Sequence, residues 1–171
     1  IKLSVNYFSE QIIDYFGDGS SLGVNITYIK ETKKLGTAGA LSLLEEMPNE
    51  PFLVMNGDLL TNVNFASILD FHSEHDNCAT MCIKDHGYEF PYGVVKLDKN
   101  HKFLALEEKP KMQAFINAGI YVLNPECLNY LPKNEHLNIT DLFEILKNND
   151  RKLGCFPIGE YWIDIGLPED Y

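Results

Sequence analysis

One short stretch, Phe52-Leu-Val-Met-Asn-Gly-Asp58, constrains the fold of this chain more than any other. Its four consecutive apolar residues, at positions 52–55, are typical of a short strand that is buried in an α/β sheet. Asn56 and Gly57 form a turn, and Asp58 is the first charged residue beyond the carboxyl end of the strand, where open α/β sheets bind ligands. Two interpretations of Asp58 stay open, a ligand of Mg²⁺ that carries a phosphorylated substrate or a turn residue that caps the next segment.

Strand patterns alternate with helix patterns through the first half of the chain. This order predicts an α/β, Rossmann-like fold with a mixed, mainly parallel sheet and helices on both faces. Strand patterns with short turns between them dominate the second half and predict added antiparallel strands. The predicted strands are 1–5, 24–29, 52–55, 79–83, 92–97, 103–107, 114–123 and 153–158. The predicted helices are 8–16, one that Thr37 can cap and that runs to about Met47, 64–72 and 138–147.

Size and composition indicate one globular domain, residues 1–171. The 171 residues are 45% hydrophobic and 23% charged, a balance that argues against disorder. The net charge of −11 argues against a nucleic-acid partner, and no apolar run approaches the length that spans a membrane. The four cysteines form no Cys-x-x-Cys pair, which argues against a structural zinc site and favours reduced thiols in a cytoplasmic protein.

Several polar residues are candidates for a site, each with a plainer alternative. The small residues at 35–40 precede a helix that Thr37 can cap, so they either receive a nucleotide at its N-terminus or form a tight strand-to-helix turn. Asp164 lies between two isoleucines, where an acid is paired, metal-bound or turned to solvent. His72 and His75 share one helix face, and we expect them to be exposed rather than to bind a metal.

Six short motifs in a fixed order resemble those of the sugar-1-phosphate nucleotidyltransferases, also called nucleotide-sugar pyrophosphorylases. The resemblance covers almost the whole chain and is nearest to the mannose-1-phosphate guanylyltransferase-like branch, which includes proteins with attached CBS domains. The motifs are Leu35–Ala40, Asn56–Asp58, Tyr92–Val95, Glu108–Pro110, Asn117–Tyr121 and Trp162–Gly166.

The resemblance implies a role for each candidate residue in the transfer of a nucleotidyl group from an NTP, GTP in this branch, to a hexose 1-phosphate such as mannose 1-phosphate. Asp58 and Asp164 would jointly hold the Mg²⁺ cofactor. Asp58, Asp164 and Lys109 would be the catalytic residues. The residues implied to bind substrates are Leu35, Gly36, Thr37 and Gly39 at the base and ribose, and Gly93, Glu108, Lys109 and Asn117 at the sugar phosphate.

One departure from the family pattern concerns the N-terminal loop Gly-Gly-x-Gly-Thr-Arg-Leu and the following Pro-Lys, which wrap the triphosphate. Neither occurs in this chain, so we expect the domain to lack its first βα unit and to have little activity alone, while the parent protein is active. Edge strands exposed by such a truncation would favour homo-oligomers. Two other functions stay open, a non-catalytic nucleotide-sugar sensor and a nucleotide-sugar-dependent glycosyltransferase, although Asp58 is followed by Leu59-Leu60 rather than by Asp-x-Asp.

Overall fold

The computed structural model describes residues 1–166 and contains ten strands and four α-helices within that range. The strands are β1 (Lys2–Val5), β2 (Thr27–Lys30), β3 (Phe52–Met55), β4 (Leu59–Thr61), β5 (Ala79–Glu89), β6 (Val94–Leu97), β7 (Phe103–Glu107), β8 (Lys111–Leu123), β9 (Leu153–Ile158) and β10 (Trp162–Asp164). The α-helices are α1 (Ser9–Phe16), α2 (Gly36–Gly39), α3 (Phe65–Glu74) and α4 (Ile139–Asn148), and 3₁₀ turns span Ser20–Leu22, Ala40–Leu43 and Pro125–Tyr130. Within residues 1–166, no helix combines the length and the apolar character needed to cross a membrane.

A four-stranded mixed sheet in the order β3-β8-β5-β9 forms the centre of the molecule. Strands β3 and β5 both run antiparallel to β8, and β9 runs parallel to β5, so three of the four strands point in one direction. The predicted mixed α/β fold is therefore confirmed, and β8 is the added antiparallel strand. A second prediction was wrong in part, because β3 is half-buried rather than buried, as an edge strand with β8 as its partner.

Helices cover both faces of this sheet, and the side chains of β8 explain why. Successive strand residues point to opposite faces. Tyr121 and Leu123 pack in one core cluster with α4, while Ile120 and Val122 pack in a second cluster with Ile68 of α3. Because β8 supplies fully buried residues to both clusters, it connects the helices on the two faces of the sheet.

Three smaller pairs of strands surround the central sheet. Strands β1 and β2 form a parallel pair, and β4 and β10 form an antiparallel pair. Strands β6 and β7 form an antiparallel hairpin in the chain segment that connects β5 to β8. The antiparallel pairing predicted for the second half of the chain is confirmed. The β4–β10 pair brings the last described strand next to the turn that follows β3.

The predicted helix, with Thr37 as its cap and its end at about Met47, was wrong in its extent. The α-helical part ends at Gly39, and a 3₁₀ turn continues only to Leu43. Two glycines within four residues weaken the helix, and the Ser42 hydroxyl donates to the Gly39 carbonyl at 2.7 Å, which competes with regular helical bonding. The Thr37 hydroxyl does not cap α2; it accepts a hydrogen bond from the Ile139 amide at 2.8 Å, in the first turn of α4.

The prediction that His72 is exposed was also wrong. His72 is 1% exposed, and its ring lies between Thr80 Oγ1 at 2.8 Å and Asn124 Oδ1 at 3.0 Å. An amide oxygen can only accept, so Nε2 of His72 donates to Asn124, while Nδ1 is hydrogen-bonded to the Thr80 hydroxyl. The Asn77 amide donates to the same hydroxyl at 3.1 Å, which completes a buried polar chain between α3 and β5. His75 is exposed, as predicted.

Candidate active site

Asp58 and Asp164 are 106 positions apart in the sequence, and the β4–β10 pair brings them together. Asp58 directly precedes β4, and Asp164 ends β10, where it pairs with Leu59. The amide of Ile165 donates to the carbonyl of Asp58 at 2.8 Å, which extends the ladder by one bond. The backbone therefore fixes the two acids beside each other at the carboxyl end of β3.

The two carboxylates converge on the space above Gly166. A Cβ atom on this glycine would lie 3.0 Å from Asp164 Oδ1 and 3.6 Å from Asp58 Oδ2. The glycine amide donates to Asp164 Oδ1 at 3.0 Å and orients that carboxylate. Both acids are exposed, so a ligand can reach them from solvent.

The donor set fits a hard divalent cation such as Mg²⁺. Mg²⁺ is commonly held by one or two carboxylates, with water and substrate phosphates as its remaining ligands. Within residues 1–166, no group of three or more His, Cys, Asp and Glu side chains is arranged to hold a metal. Two carboxylates with an open side suit a metal that is shared with a phosphorylated substrate better than a closed structural site.

The backbone near Gly119 supports the turn that carries Asp58. Gly119 has a φ of 70°, and a Cβ atom there would lie 2.9 Å from Asn56 Nδ2 and 3.0 Å from Leu59 Cδ1. A side chain at this position would be strained and would push the turn away. The backbone amide of Asn56 donates to the Gly119 carbonyl at 2.9 Å, and the Trp162 indole donates to the Ala118 carbonyl at 2.8 Å. One segment of β8 thus contacts both chain segments that carry the acids.

A cavity of about 600 Å³ opens beside Asp58, between β1 and the edge of β3. Gly36 and Thr37 line it, so the structure brings these two predicted residues to the same cavity as Asp58. Lys2, Lys34 and His136 also line it and were not singled out from the sequence. They come from three separate segments of the chain. The one sequence feature that could have indicated any of them is that Lys34 directly precedes Leu35.

Leu35 and Gly39 face the protein rather than the cavity. Leu35 is fully buried, its amide donates to Glu31 Oε2 at 2.9 Å, and its carbonyl accepts from the Leu137 amide at 2.8 Å. A Cβ atom on Gly39 would lie 2.5 Å from the Glu135 carbonyl oxygen. These two residues hold the loop against residues 135–137, and that contact leaves Gly36 and Thr37 at the cavity wall.

The predicted sugar-binding residues form a second group at the base of the β6–β7 hairpin. Gly93 and Glu108 are in contact, because a Cβ atom on Gly93 would lie 3.0 Å from Glu108 Oε2. Lys109 follows with a φ of 46° and is exposed. Within residues 1–166, no hydrogen bond or ion pair links Glu108 or Lys109 to Asp58 or Asp164.

Asn117 lies on β8, the strand that leads from the hairpin to the acids. Its amide nitrogen donates to the Tyr121 hydroxyl at 2.8 Å, and its amide oxygen accepts from the Gly119 amide at 3.0 Å. Burial raises the pKa of Tyr121, while the bond from Asn117 partly opposes that effect. The Asn117 side chain is therefore oriented by the protein while remaining exposed to solvent.

Comparison with known proteins assigns the chain to a family. The sequence profile described as nucleotidyl transferase matches residues 1–171. The chain belongs to this family. Probable mannose-1-phosphate guanylyltransferase 1 from Oryza sativa subsp. japonica is 35% identical over 179 residues, which cover 100% of this chain and 49% of that protein. UTP–glucose-1-phosphate uridylyltransferase from Synechocystis is 32% identical over 190 residues, again covering 100% of this chain and 49% of that protein.

A solved structure supports the same fold. HddC from Yersinia pseudotuberculosis superimposes with a TM-score of 0.70 and 25% identity, covering 100% of this chain and 75% of that protein. The chain spans about half the length of the curated relatives that it matches. It thus has the fold of this nucleotidyl transferase family, and its relatives contain further sequence.

Proposed function

We propose that the complete protein transfers a nucleotidyl group from an NTP to a sugar 1-phosphate, releasing pyrophosphate and forming a nucleotide sugar. The observation that carries this proposal is the convergence of Asp58 and Asp164 at Gly166, beside an open cavity. The family match and relatives that use mannose 1-phosphate or glucose 1-phosphate support it. GTP and mannose 1-phosphate are the proposed substrates, because guanylyltransferases are prominent among the similar relatives.

Asp58 and Asp164 are the proposed ligands of Mg²⁺. A bound Mg²⁺ would neutralise charge on the phosphates and help to align them. The protein's own task is to hold the two substrates so that a phosphate oxygen of the sugar phosphate lies in line with the α-phosphorus of the NTP. Such positioning can account for much of the rate of a transfer reaction.

The remaining candidate residues divide between the two substrates. Gly36 and Thr37 border the base and ribose from the cavity wall, and Leu35 and Gly39 hold that wall in place. At the hairpin, Glu108 accepts hydrogen bonds from sugar hydroxyls and Lys109 pairs with the sugar phosphate as a compact positive charge. Gly93 contacts the sugar through its backbone. Asn117, which is exposed, hydrogen-bonds to the sugar through its side-chain amide.

The cellular setting is also part of the proposal. All four cysteines are free thiols, which supports a reducing, cytoplasmic compartment. The greater length of the relatives supports additional segments or domains in the complete protein, with regulatory CBS domains as one expected type. Unpaired strand edges support self-association.

A pyrophosphate-release assay tests the proposal. We expect the complete protein to turn over GTP with mannose 1-phosphate in the presence of Mg²⁺, and this chain alone to show little activity. Parallel reactions with UTP and glucose 1-phosphate test the choice of base and sugar. If the complete protein bound GDP-mannose but released no pyrophosphate with any pair, the sensor function would replace the proposed one.

A further inference from the structure

Lys84 of β5 has a side chain whose environment the proposed reaction does not explain. It lies among the paired strands of the central sheet, opposite Ile116 of β8 and Ile158 of β9, and is half-buried. Its ammonium donates to three consecutive backbone carbonyls, those of Ile158 at 3.3 Å, Gly159 at 3.5 Å and Glu160 at 2.8 Å. An ammonium has three protons and can serve all three acceptors; the bond to Glu160 is the short one, and the other two contacts are longer than ordinary N–H···O bonds.

These three carbonyls belong to the connection between β9 and β10, directly before the strand that carries Asp164. The connection begins at Ile158, which is buried in the core, and continues through Gly159, where a Cβ atom would contact nothing within 4 Å. Glycine adds backbone freedom, so this is the point where the path toward β10 is least restricted by packing. Within residues 1–166, Lys84 is the only side chain that hydrogen-bonds to residue 159 or 160.

The connection is fixed again as soon as β10 begins. The Tyr161 carbonyl accepts from the Thr61 hydroxyl at 2.8 Å, and the Trp162 indole donates to the Ala118 carbonyl at 2.8 Å. Lys84 therefore holds the one part of the path that neither the core nor β10 holds. Its effect on Asp164 passes through the three residues between Glu160 and Asp164.

We propose that Lys84 is a positioning residue that sets the approach of Asp164 to Asp58 and thereby the affinity of the acid pair for a divalent cation. This inference rests on the proposed function, because it takes the acid pair as the cation site. A lysine suits the task because its ammonium is a compact charge with three donors, whereas the planar guanidinium of arginine presents its donors in one plane. Groups that hydrogen-bond directly to a metal ligand commonly change metal affinity by about 10–100-fold, and Lys84, which acts through the backbone before Asp164, is expected at the lower end of that range.

Terbium luminescence tests the inference without an activity assay. Tb³⁺ is a hard cation that prefers oxygen ligands, and Trp162, the only tryptophan of the chain, lies two residues from Asp164 and can sensitise its emission. Selective excitation of tryptophan, at wavelengths that the nine tyrosines do not absorb, restricts the signal to sites near Trp162, although the chain has 25 acids. We expect Lys84→Met in this chain to weaken Tb³⁺ binding about tenfold and Lys84→Arg to restore part of the loss. Excess Mg²⁺ should displace Tb³⁺ from the wild-type chain and from both Lys84 variants.

Three further variants separate the possible outcomes. Lys111→Met is the matched control, because its ammonium lies 3.9 Å from Glu89 on the same pair of strands and is well exposed; we expect no change in Tb³⁺ affinity. Leu142→Ala should lower the melting temperature and leave the affinity unchanged, which separates positioning from general stability. The double variant Asp58→Asn, Asp164→Asn should abolish the sensitised signal.

Each result bears on one proposal. Wild-type emission from the double variant would reject the acid pair as the cation site, and with it the proposed function. Loss of the signal in the double variant, together with unchanged affinity in Lys84→Met, would reject the role of Lys84 alone. If Lys84→Met failed to fold by circular dichroism, Lys84→Gln, which keeps one donor group, would be measured in its place, and unchanged affinity there would equally reject the role.

Discussion

The acid pair and the hairpin that carries Glu108 differ in how many contacts hold them. Asp58 and Asp164 are fixed by a strand pair, by a backbone bond beyond it and by the indole of Trp162. The β6–β7 hairpin pairs only with itself among the described strands, and its residues Phe103, Leu104 and Leu106 are 58–61% exposed. An isolated two-stranded hairpin is marginally stable in water. The proposed cation end is thus held by several contacts within the fold, whereas the hairpin at the proposed sugar end pairs only with itself among the described strands.

The largest expected effect is at the proposed cation end. Asp58→Asn or Asp164→Asn in the complete protein should lower kcat for pyrophosphate release by roughly a thousandfold, because a neutral amide binds Mg²⁺ weakly and several kcal/mol of charge stabilisation are lost. Asp70→Asn, an exposed acid on α3, is the control and should retain full activity. Turnover within about threefold of wild type in either acid variant would contradict the assignment of Asp58 and Asp164 as the cation site.

A pair of leucine truncations compares the stability of the two regions. Leu142 of α4 is fully buried, and Leu104 of the hairpin is 59% exposed. Leu142→Ala should lower the free energy of unfolding by about 2–5 kcal/mol, because it leaves a cavity. Leu104→Ala should change it by less than about 0.5 kcal/mol. Urea unfolding monitored by circular dichroism measures both, and equal losses would mean that the hairpin is packed as firmly as the core.

Glu108→Gln examines the sugar end directly. In the complete protein it should raise the KM for the sugar phosphate about tenfold, because a charged acceptor of hydrogen bonds contributes roughly 1.5 kcal/mol, and it should leave the KM for the NTP unchanged. Glu107→Gln is the matched control, since that neighbouring acid instead pairs with Lys96 at 3.4 Å. A KM increase shared by both variants would point to a general effect of charge on the hairpin.

The smallest expected effect is at the ion pair between Lys96 and Glu107. Lys96 and Glu107 have side chains that are 62% and 56% exposed, and exposed pairs contribute little to stability. Lys96→Met should change the free energy of unfolding by less than about 0.5 kcal/mol in the same urea experiment. A loss of more than about 1 kcal/mol would contradict the view that the hairpin is weakly held.

Local patterns predicted most strands and the main helices, because apolar periodicity reports directly on which face is buried. The short apolar runs at 79–83 and 153–158 became β5 and β9, and the motif order identified the family. The roles of the acids, of Glu108 and of the other site residues stay predictions.

Contacts between distant segments account for what the sequence did not reveal. His72 looked like a surface residue on its helix, but Thr80 and Asn124, the latter 52 positions away, supply partners that allow it to be buried. Phe52–Met55 looked central because it is apolar, yet its position at the sheet edge depends on where β8 inserts. The carbonyls around Lys84 lie 74 to 76 positions further along the chain, a distance at which no local pattern carries information.

The hydroxyl of Thr37 connects the cavity wall to a helix 102 positions away. Its oxygen accepts the Ile139 amide, and within residues 1–166 no acceptor is bonded to its own proton, which a ligand can therefore receive as a hydrogen bond. A ribose or phosphate oxygen that accepted a hydrogen bond from Thr37 would polarise the hydroxyl and strengthen its hydrogen bond with the Ile139 amide. Binding of a nucleotide would then slow amide exchange at the beginning of α4, where Asn138 is part of the wall of the same cavity.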